Sequence, residues 1–293
     1  MSQEVQVVKG LPAEWGKCSC TVSLNSHGTD LSYWKDNIAV GSGVNIIIFN
    51  AITGSQIAIL SDHTYSVQSI TYSSDGMFLV SGCGGGTVKL WDVQTGGVVK
   101  TFHGHTDCVC SVSISADNTR IASGSLCGAL HLWNTHTGEC HCVIKQEGIV
   151  IYVSFSPINS QHLLSISGKK GWQWDINGHQ AGPTYDGSCI SFSPDGTQFI
   201  LCHNKAVTVQ DSNSGVIVNE FQIANGSIYH CCFSPDGRLF AVASQATIYV
   251  WDVTGLEPHL AETFIGHTEK VNSLIFSSPS SLISASDDKS VKF

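Results

Sequence analysis

The feature that most constrains this chain is a phrase that returns six times, an apolar strand ending in Ser and usually followed by a turn. The copies read ITYSSDG (70–76), VSISADN (112–118), VSFSPIN (153–159), ISFSPDG (190–196), CCFSPDG (231–237) and LIFSSPS (274–280). About eighteen residues after each of the first five comes a strand that ends in Trp or its replacement. These endings are Trp91, Trp133, Trp174, Gln210 and Trp251, so they lie 42, 41, 36 and 41 residues apart. A period near ~40 with a Trp-Asp ending is the mark of a four-stranded propeller blade. The chain is therefore predicted to be one all-β repeat architecture, with function on its surfaces rather than in a single motif.

Composition agrees with that prediction. Of 293 residues, 42% are hydrophobic and only 13% charged, the profile of many short buried strands with few solvated helices. A closed all-β ring absorbs that length as one unit. No stretch approaches the ~18 consecutive apolar residues of a membrane span, and Glu4 interrupts the start before a signal-peptide core could form. A soluble, cytoplasmic protein with no membrane partner is expected. The net charge of −9, with Arg120 and Arg238 as the only arginines and scattered lysines, offers no basic stripe for phosphates, so no nucleic-acid partner is expected either.

Twelve cysteines suggest a disulfide scaffold only in short secreted chains. Here they sit inside strand patterns, as in Cys231-Cys232, Cys108/Cys110 and Cys140/Cys142, and read as reduced, buried thiols. His103, His105, Cys108 and Cys110 crowd soft ligands together, as a zinc site would. No other copy repeats the cluster, and neither a metal nor a cofactor is expected.

The best-formed copy runs from His63 to Lys100. Strand a is VQSITYS (67–73), with Val67, Ser69 and Thr71 predicted to face opposite to Gln68, Ile70 and Tyr72. A turn at Ser73-Ser74-Asp75-Gly76 follows, replaced elsewhere by Ser-Pro-Asp-Gly at 193–196 and 234–237, with Pro second and Gly fourth as a type I turn prefers. Strand b (77–82), the Gly84-Gly85-Gly86 reversal, strand c (87–92) and strand d (97–102) complete the unit. One such sheet cannot bury both faces alone, so each must stack on its neighbours.

Gly-His, the Ser-Pro-Asp-Gly turn, Ala-Ser-Gly-Ser and Trp-Asp together resemble the WD40-repeat β-propellers, over nearly the whole chain. The resemblance implies a buried network in each blade: a His before strand a, a Ser or Thr in strand b, an Asp in the b–c turn and the Trp of strand c. Carried onto this sequence, the network comprises His63, Ser81 and Trp91 with Gly85 at the acid position, His105, Ser123 and Trp133 with Cys127 there, and His267, Ser284 and Asp288. No copy has all four members. These histidines are expected to be structural rather than catalytic.

Counting backwards, LSYWKDNIAVGS (31–42) and NIIIF (45–49) form a further copy with Phe49 in the Trp place, and the copy from Gly266 to Phe293 makes seven. That last copy lacks strand d, while GKCSCTVSL (16–24) resembles the opening of a strand d, as in GECHCVI (138–144). The prediction is an all-β, seven-bladed WD40 β-propeller spanning 17–293, closed by the N-terminal strand 17–24, after a leader or linker at 1–16. A competing placement puts Cys20–Asn25 in strand a of blade 1. The phrases GLPAEWG, NAITGSQ, QWDINGH and SSPSSLISAS resemble the C-terminal WD-repeat region of fungal NACHT/STAND proteins, which implies a piece of something longer. No GxxxxGK[ST] loop occurs in this chain, so nucleotide chemistry would lie outside it.

The function expected is a non-catalytic protein- or ligand-recognition scaffold, the sensor or interaction module of a larger fungal STAND-type signalling protein. The alternative is a stand-alone WD-repeat adaptor of a multiprotein complex. A ubiquitin-ligase substrate receptor is weakened because Gln94, Asn177, Thr254 and His136 stand where Arg is common in such receptors. An enzyme would need a converging catalytic set that the sequence does not offer. Trp172 and Tyr229 leave a sugar-stacking reading open. The partner expected is a protein or peptide, bound by a monomeric propeller. By resemblance, its contacts fall at positions flanking the first apolar residue of strand a and before the b–c turn acid. These are Ser66, Gln68, Cys108, Cys110, Ile149, Ile151, Ser227, Tyr229, Lys270 and Asn272, with Leu126 and Asp287 from the turns. Ile149, Ile151 and Cys110 could instead plug the channel.

Overall fold

The computed structural model describes residues 7–9, 20–203, 205–222, 226–254 and 258–293. They form seven antiparallel sheets, six of four strands and one of five. Each sheet is a blade whose strands run a to d from the channel outward. Blade 2, for example, is built from Val67–Tyr72, Phe78–Cys83, Thr87–Asp92 and Val98–His103. The innermost strands touch one another in chain order, and the last, Val271–Ser278, touches the first, Gly28–Trp34. The result is a seven-bladed β-propeller, and among the described residues there is no helix long and apolar enough to cross a membrane.

Closure comes from the N-terminal strand. Cys20–Ser23 pairs antiparallel with Ser290–Lys292, aligning Val22 with Val291. Val22 and Leu24 are buried with Leu31, Ile38, Val40, Phe49, Ile283 and Ala285 between blades 7 and 1. Strand a of blade 1 is Gly28–Trp34, so Cys20–Asn25 does not fill that place. Residues 17–19 of the predicted closing strand lie outside the described residues. The predicted leader 1–16 needs a correction where it is described: Val7–Lys9 pairs with Cys20–Ser23 and adds a fifth strand to blade 7. Once Cys20–Ser23 becomes the outermost strand, it presents a row of unpaired backbone groups that a further segment can satisfy.

The core lies between the blades rather than inside any one of them. Ala39, Ile46, Ile48 and Leu60 of blade 1 pack with Val67, Ile70, Tyr72, Leu79 and Trp91 of blade 2. The glycines of strand b make this stacking possible. A Cβ at Gly82 would meet Val109 Cγ1 of the next blade at 2.4 Å, and one at Gly124 would meet Val150 Cγ1 at 2.5 Å.

The simple alternation predicted for strand a does not hold. Val67 pairs with Cys83 and Ser69 with Gly82, which leaves Gln68 as the extra residue of a β-bulge. Bulges or register shifts occur at the start of strand a in six of the seven blades. In blades 2 and 7 the shift accompanies a tie to the preceding blade. The Val67 amide donates to Gly43 O at 2.7 Å, and the Val271 amide donates to Gln245 O at 2.9 Å. In both, the first residue of strand a is held by the neighbour's b–c turn.

A second set of ties circles the channel at the position four residues before each turn Ser. Ser69 Oγ accepts from the Val112 amide at 3.2 Å, Ser111 Oγ from Val153 at 3.0 Å, and Ser273 Oγ from Leu31 at 3.2 Å. Asp30 Oδ2 accepts from Ile70 at 2.9 Å, and His230 Nδ1 meets the Leu274 amide at 3.3 Å. Each is a side chain of one blade satisfying the backbone of the next.

Candidate functional site

The predicted networks assemble as hydrogen bonds beneath the channel face. In blade 2, His63 Nε2 lies 2.6 Å from Ser81 Oγ, and Trp91 Nε1 donates to the same oxygen at 2.7 Å. In blade 3 the corresponding distances, from His105 and Trp133 to Ser123, are 2.7 and 2.8 Å. In blade 7, His267 reaches Ser284 at 2.8 Å and Asp288 at 2.8 Å. Strand b carries the Ser inward beside the Trp of strand c, and the d–a loop folds the His over both.

The second ring nitrogen distinguishes the three. His267 Nδ1 meets a carboxylate, whereas His105 Nδ1 meets the Cys127 thiol at 3.7 Å. His63 Nδ1 is buried with no hydrogen-bond partner among the described residues. Burial, and then the charge of Lys89, pushes His63 down to about 4, with Asp62 opposing. Burial and the stacked His131 push His105 down to about 3. Burial lowers His267 too, but its bond to Asp288 pushes back. His63 and His105 are buried between a Trp and a Ser, and His267 is buried against Ser284 and Asp288, the setting of a structural rivet.

One network member escaped the sequence reading. In blade 4, Trp174 Nε1 donates to Ser165 Oγ at 2.9 Å, and Gln146 takes the histidine's place with its amide 2.9 Å from the same oxygen. Its signal was available, because His63 precedes Trp91, His105 precedes Trp133 and Gln146 precedes Trp174 by the same 28 residues.

Gly85 was expected to mark the place of a missing acid. A Cβ there would lie 2.4 Å from Tyr65 Cδ2, so the Tyr65 ring occupies the room an Asp side chain needs. Gly85→Asp alone is expected to lower stability by about 1–2 kcal/mol through overpacking. In a Tyr65→Ser background the same change is expected to raise it, because His63 Nδ1 then gains a charged partner. Thermal melts of the two single variants and the double variant check the sign reversal.

The predicted binding positions fall into two shells around the channel mouth. Gln68, Cys110, Ile151, Tyr229 and Asn272 are the bulged residues of blades 2, 3, 4, 6 and 7, and all five line a central cavity of about 340 Å³. Ser66, Cys108, Ile149, Ser227 and Lys270 precede strand a and ring the outside, joined by Leu126 and Asp287. Ile149 is 46% exposed and Leu126 38%, whereas Ile151, 37% exposed, and the half-buried Cys110 line the cavity itself. Tyr152, a residue the prediction passed over, lines the cavity and packs against Ile166, Tyr185, Ile190 and Phe199. Burial together with Cys189, Cys231 and Asp30 holds its hydroxyl far above the usual phenol range.

The face has two chemical halves. Blades 3 and 4 present Cys110, Leu126, Ile149 and Ile151. Blades 6 and 7 present polar groups that hold one another: Lys270 Nζ sits 4.4 Å from the Tyr229 ring centroid, Gln245 Nε2 donates to Tyr229 Oη at 3.2 Å, and Asn272 Nδ2 donates to Asp287 Oδ1 at 2.8 Å. Trp172 is stacked on Trp174 at 5.7 Å and packs on the core of blades 3 and 4, away from Tyr229, so the two do not form a sugar platform. Among the described residues no three His, Cys, Asp or Glu side chains are placed to share a metal ion. Asp75, Asp195 and Asp236 cap their turns, each accepting from the Ser two positions earlier at 2.6 Å.

The signature described as "WD domain, G-beta repeat" matches residues 54–92, 96–134, 215–252 and 259–293, just over half of the chain. The chain belongs to the WD40 repeat family. Blades 1, 4 and 5, whose strands a to c the signature passes over, carry the departures noted above, Phe49 for Trp, Gln146 for His and Gln210 for Trp. Among curated proteins, WD repeat-containing protein 37 of Homo sapiens is 29% identical over 30% of this chain and 18% of its own length. Autophagy-related protein 16 of Arabidopsis thaliana is 32% identical over 40% of this chain and 23% of its own. COMPASS component SWD3 of Saccharomyces cerevisiae is 30% identical over 36% of this chain and 33% of its own. The matched segments thus span a third or less of these relatives.

Proposed function

We propose that this propeller is a non-catalytic recognition scaffold that takes a protein or peptide on the channel-mouth face. The observation that carries the reading is the set of bulges, which turns one side chain from each of five blades into the mouth and sets an apolar half beside a polar half. A rigid ring presenting such a mixed face suits a segment with an apolar side chain flanked by hydrogen-bonding groups, and apolar patches rimmed by polar residues mark interaction sites. The buried, neutral histidines and the turn-capping aspartates favour binding over catalysis.

Within this reading the chain acts as a single propeller, as the sensor or interaction module of a larger fungal STAND-type protein in the cytoplasm. The four phrases shared with that group support the placement, and the free thiols of Cys83 through Cys232 suit a reducing compartment. The likeness to a COMPASS component favours a second reading equally, an adaptor within a multiprotein complex. Replacing Leu126, Ile151 and Tyr229 together by Glu is expected to reduce partner recovery in pull-downs at least about tenfold, since central apolar and aromatic contacts dominate such interfaces. The melting temperature should stay within a few degrees, because all three side chains are at least a third exposed. Undiminished recovery by a folded variant would refute the assignment of this face.

A further inference from the structure

The circle of side-chain ties around the channel changes chemistry between blades 5 and 6. Cys189 stands four residues before the turn Ser193, the place held by Ser69, Ser111 and Ser273 in other blades. Its Sγ lies 2.9 Å from Cys231 Sγ of the next blade. Cys202 is its cross-strand partner on strand b of its own blade. Cys189, Cys202 and Cys231 are all free thiols and almost completely buried. Cys231 and its neighbours Tyr229, His230 and Cys232 also form part of the wall of the 340 Å³ central cavity, so a small molecule in the channel meets Cys231 from the inside, with Cys189 against it.

Around the pair, Ile200, Val207 and Val209 of blade 5 pack with Ile228, Phe240 and Val242 of blade 6. Blade 5 has Gln210 in place of the network Trp, and the Gln210 Oε1 is buried without a hydrogen-bond partner among the described residues. Its strand a, Cys189–Phe192, is only four residues long.

We propose that Cys189 and Cys231 form a peroxide-reactive dithiol whose oxidation to a disulfide joins blade 5 to blade 6. Cys231, on the cavity wall, is the attacking sulfur, and Cys189 at 2.9 Å is the resolving one. Cys231 loses its proton to solvent, its thiolate attacks one oxygen of hydrogen peroxide, the O–O bond breaks and hydroxide leaves, giving a sulfenic acid. Cys189, losing its proton to that hydroxide, attacks the sulfenic sulfur; the S–S bond forms and the second hydroxide leaves, taking up the proton that Cys231 released. Two thiols are oxidised, and one peroxide is reduced to two waters. The crosslink spans 42 residues of chain, from 189 to 231. Closing a loop of that length is expected to raise the melting temperature by about 6 °C, reversibly with a thiol reductant.

The test treats the full chain with hydrogen peroxide, blocks remaining thiols by alkylation under denaturing conditions, and maps peptides by mass spectrometry without reduction. The expected result is a linked Cys189–Cys231 peptide pair together with the rise in melting temperature. Cys189→Ser supplies the hydroxyl that other blades carry at this position, so it should fold normally and lose the peroxide-dependent rise. Cys231→Ala, a second small apolar replacement, should lose it as well. The proposal is overturned if both thiols stay free at a dose that oxidises the exposed Cys140, if Cys189 is found linked to Cys202, or if the rise persists in Cys189→Ser.

Discussion

Val22→Asp is expected to destabilise the propeller by about 3–5 kcal/mol and to lower its melting temperature by on the order of 10 °C. Val22 is completely buried between blades 7 and 1, packed with Ile283, Ala285 and Val291, and it aligns with Val291 across the closing pair. A carboxylate there has no partner within the apolar cluster, so its desolvation goes uncompensated. Removing residues 1–24 is expected to have at least the same effect, since it strips Ser290–Lys292 of its outer neighbour and exposes the edge of blade 7. Removing residues 1–12 takes away the three-residue edge strand Val7–Lys9 and is expected to cost far less. Thermal melts of the three variants beside the intact chain decide the matter; equal midpoints for both truncations would refute closure by Cys20–Ser23.

Acid is expected to loosen the ring well before its carboxylates titrate. His63 and His105 are held neutral, at about 4 and about 3, while in the unfolded chain they titrate near the ordinary value of 6.5. Below pH 6.5 the unfolded state therefore binds protons that the folded state refuses, and stability falls as pH falls. The histidine contribution is complete above pH 6.5, is lost progressively down to about pH 4 for His63 and about pH 3 for His105, and levels off once the folded histidines also protonate. Each site is worth on the order of 3–5 kcal/mol across its own window.

Cys127→Asp is the informative variant, because Cys127 already points at His105 Nδ1 and Asp288 shows the intended pairing in blade 7. It is expected to stabilise the protein by about 1–2 kcal/mol at pH 7.5 and by more at pH 5, since a carboxylate favours the protonated imidazole. Denaturant unfolding at pH 7.5 and 5 measures both effects. A stability unchanged between these pH values in the parent chain would rule out the buried histidines as its acid-sensitive groups.

Sequence alone determined the repeat, the number of blades and most of the rivets. A strand with a buried Trp, a Ser nine or ten residues earlier and a polar group 28 residues before the Trp is a local pattern, and the same interactions form in blades 2, 3 and 4. The closing strand was legible for a similar reason: a copy lacking strand d and an orphan strand at the other end of the sequence complete one another, and exposed edges are unfavourable.

The channel face was decided by the tertiary structure. Period-two alternation predicted Val67, Ser69 and Thr71 on one side of the strand, yet Val67 is tied to Gly43 of the preceding blade, and the accompanying bulge turns Gln68 into the cavity. Whether Gly85 leaves space for an acid depends on Tyr65 lying over it, and whether Cys189 meets another thiol depends on Cys231 arriving from the next blade. These are contacts between residues about forty or more apart, or between side chains whose direction a bulge or loop sets. They exist only once the blades are stacked, which is why no pattern within a single repeat could announce them.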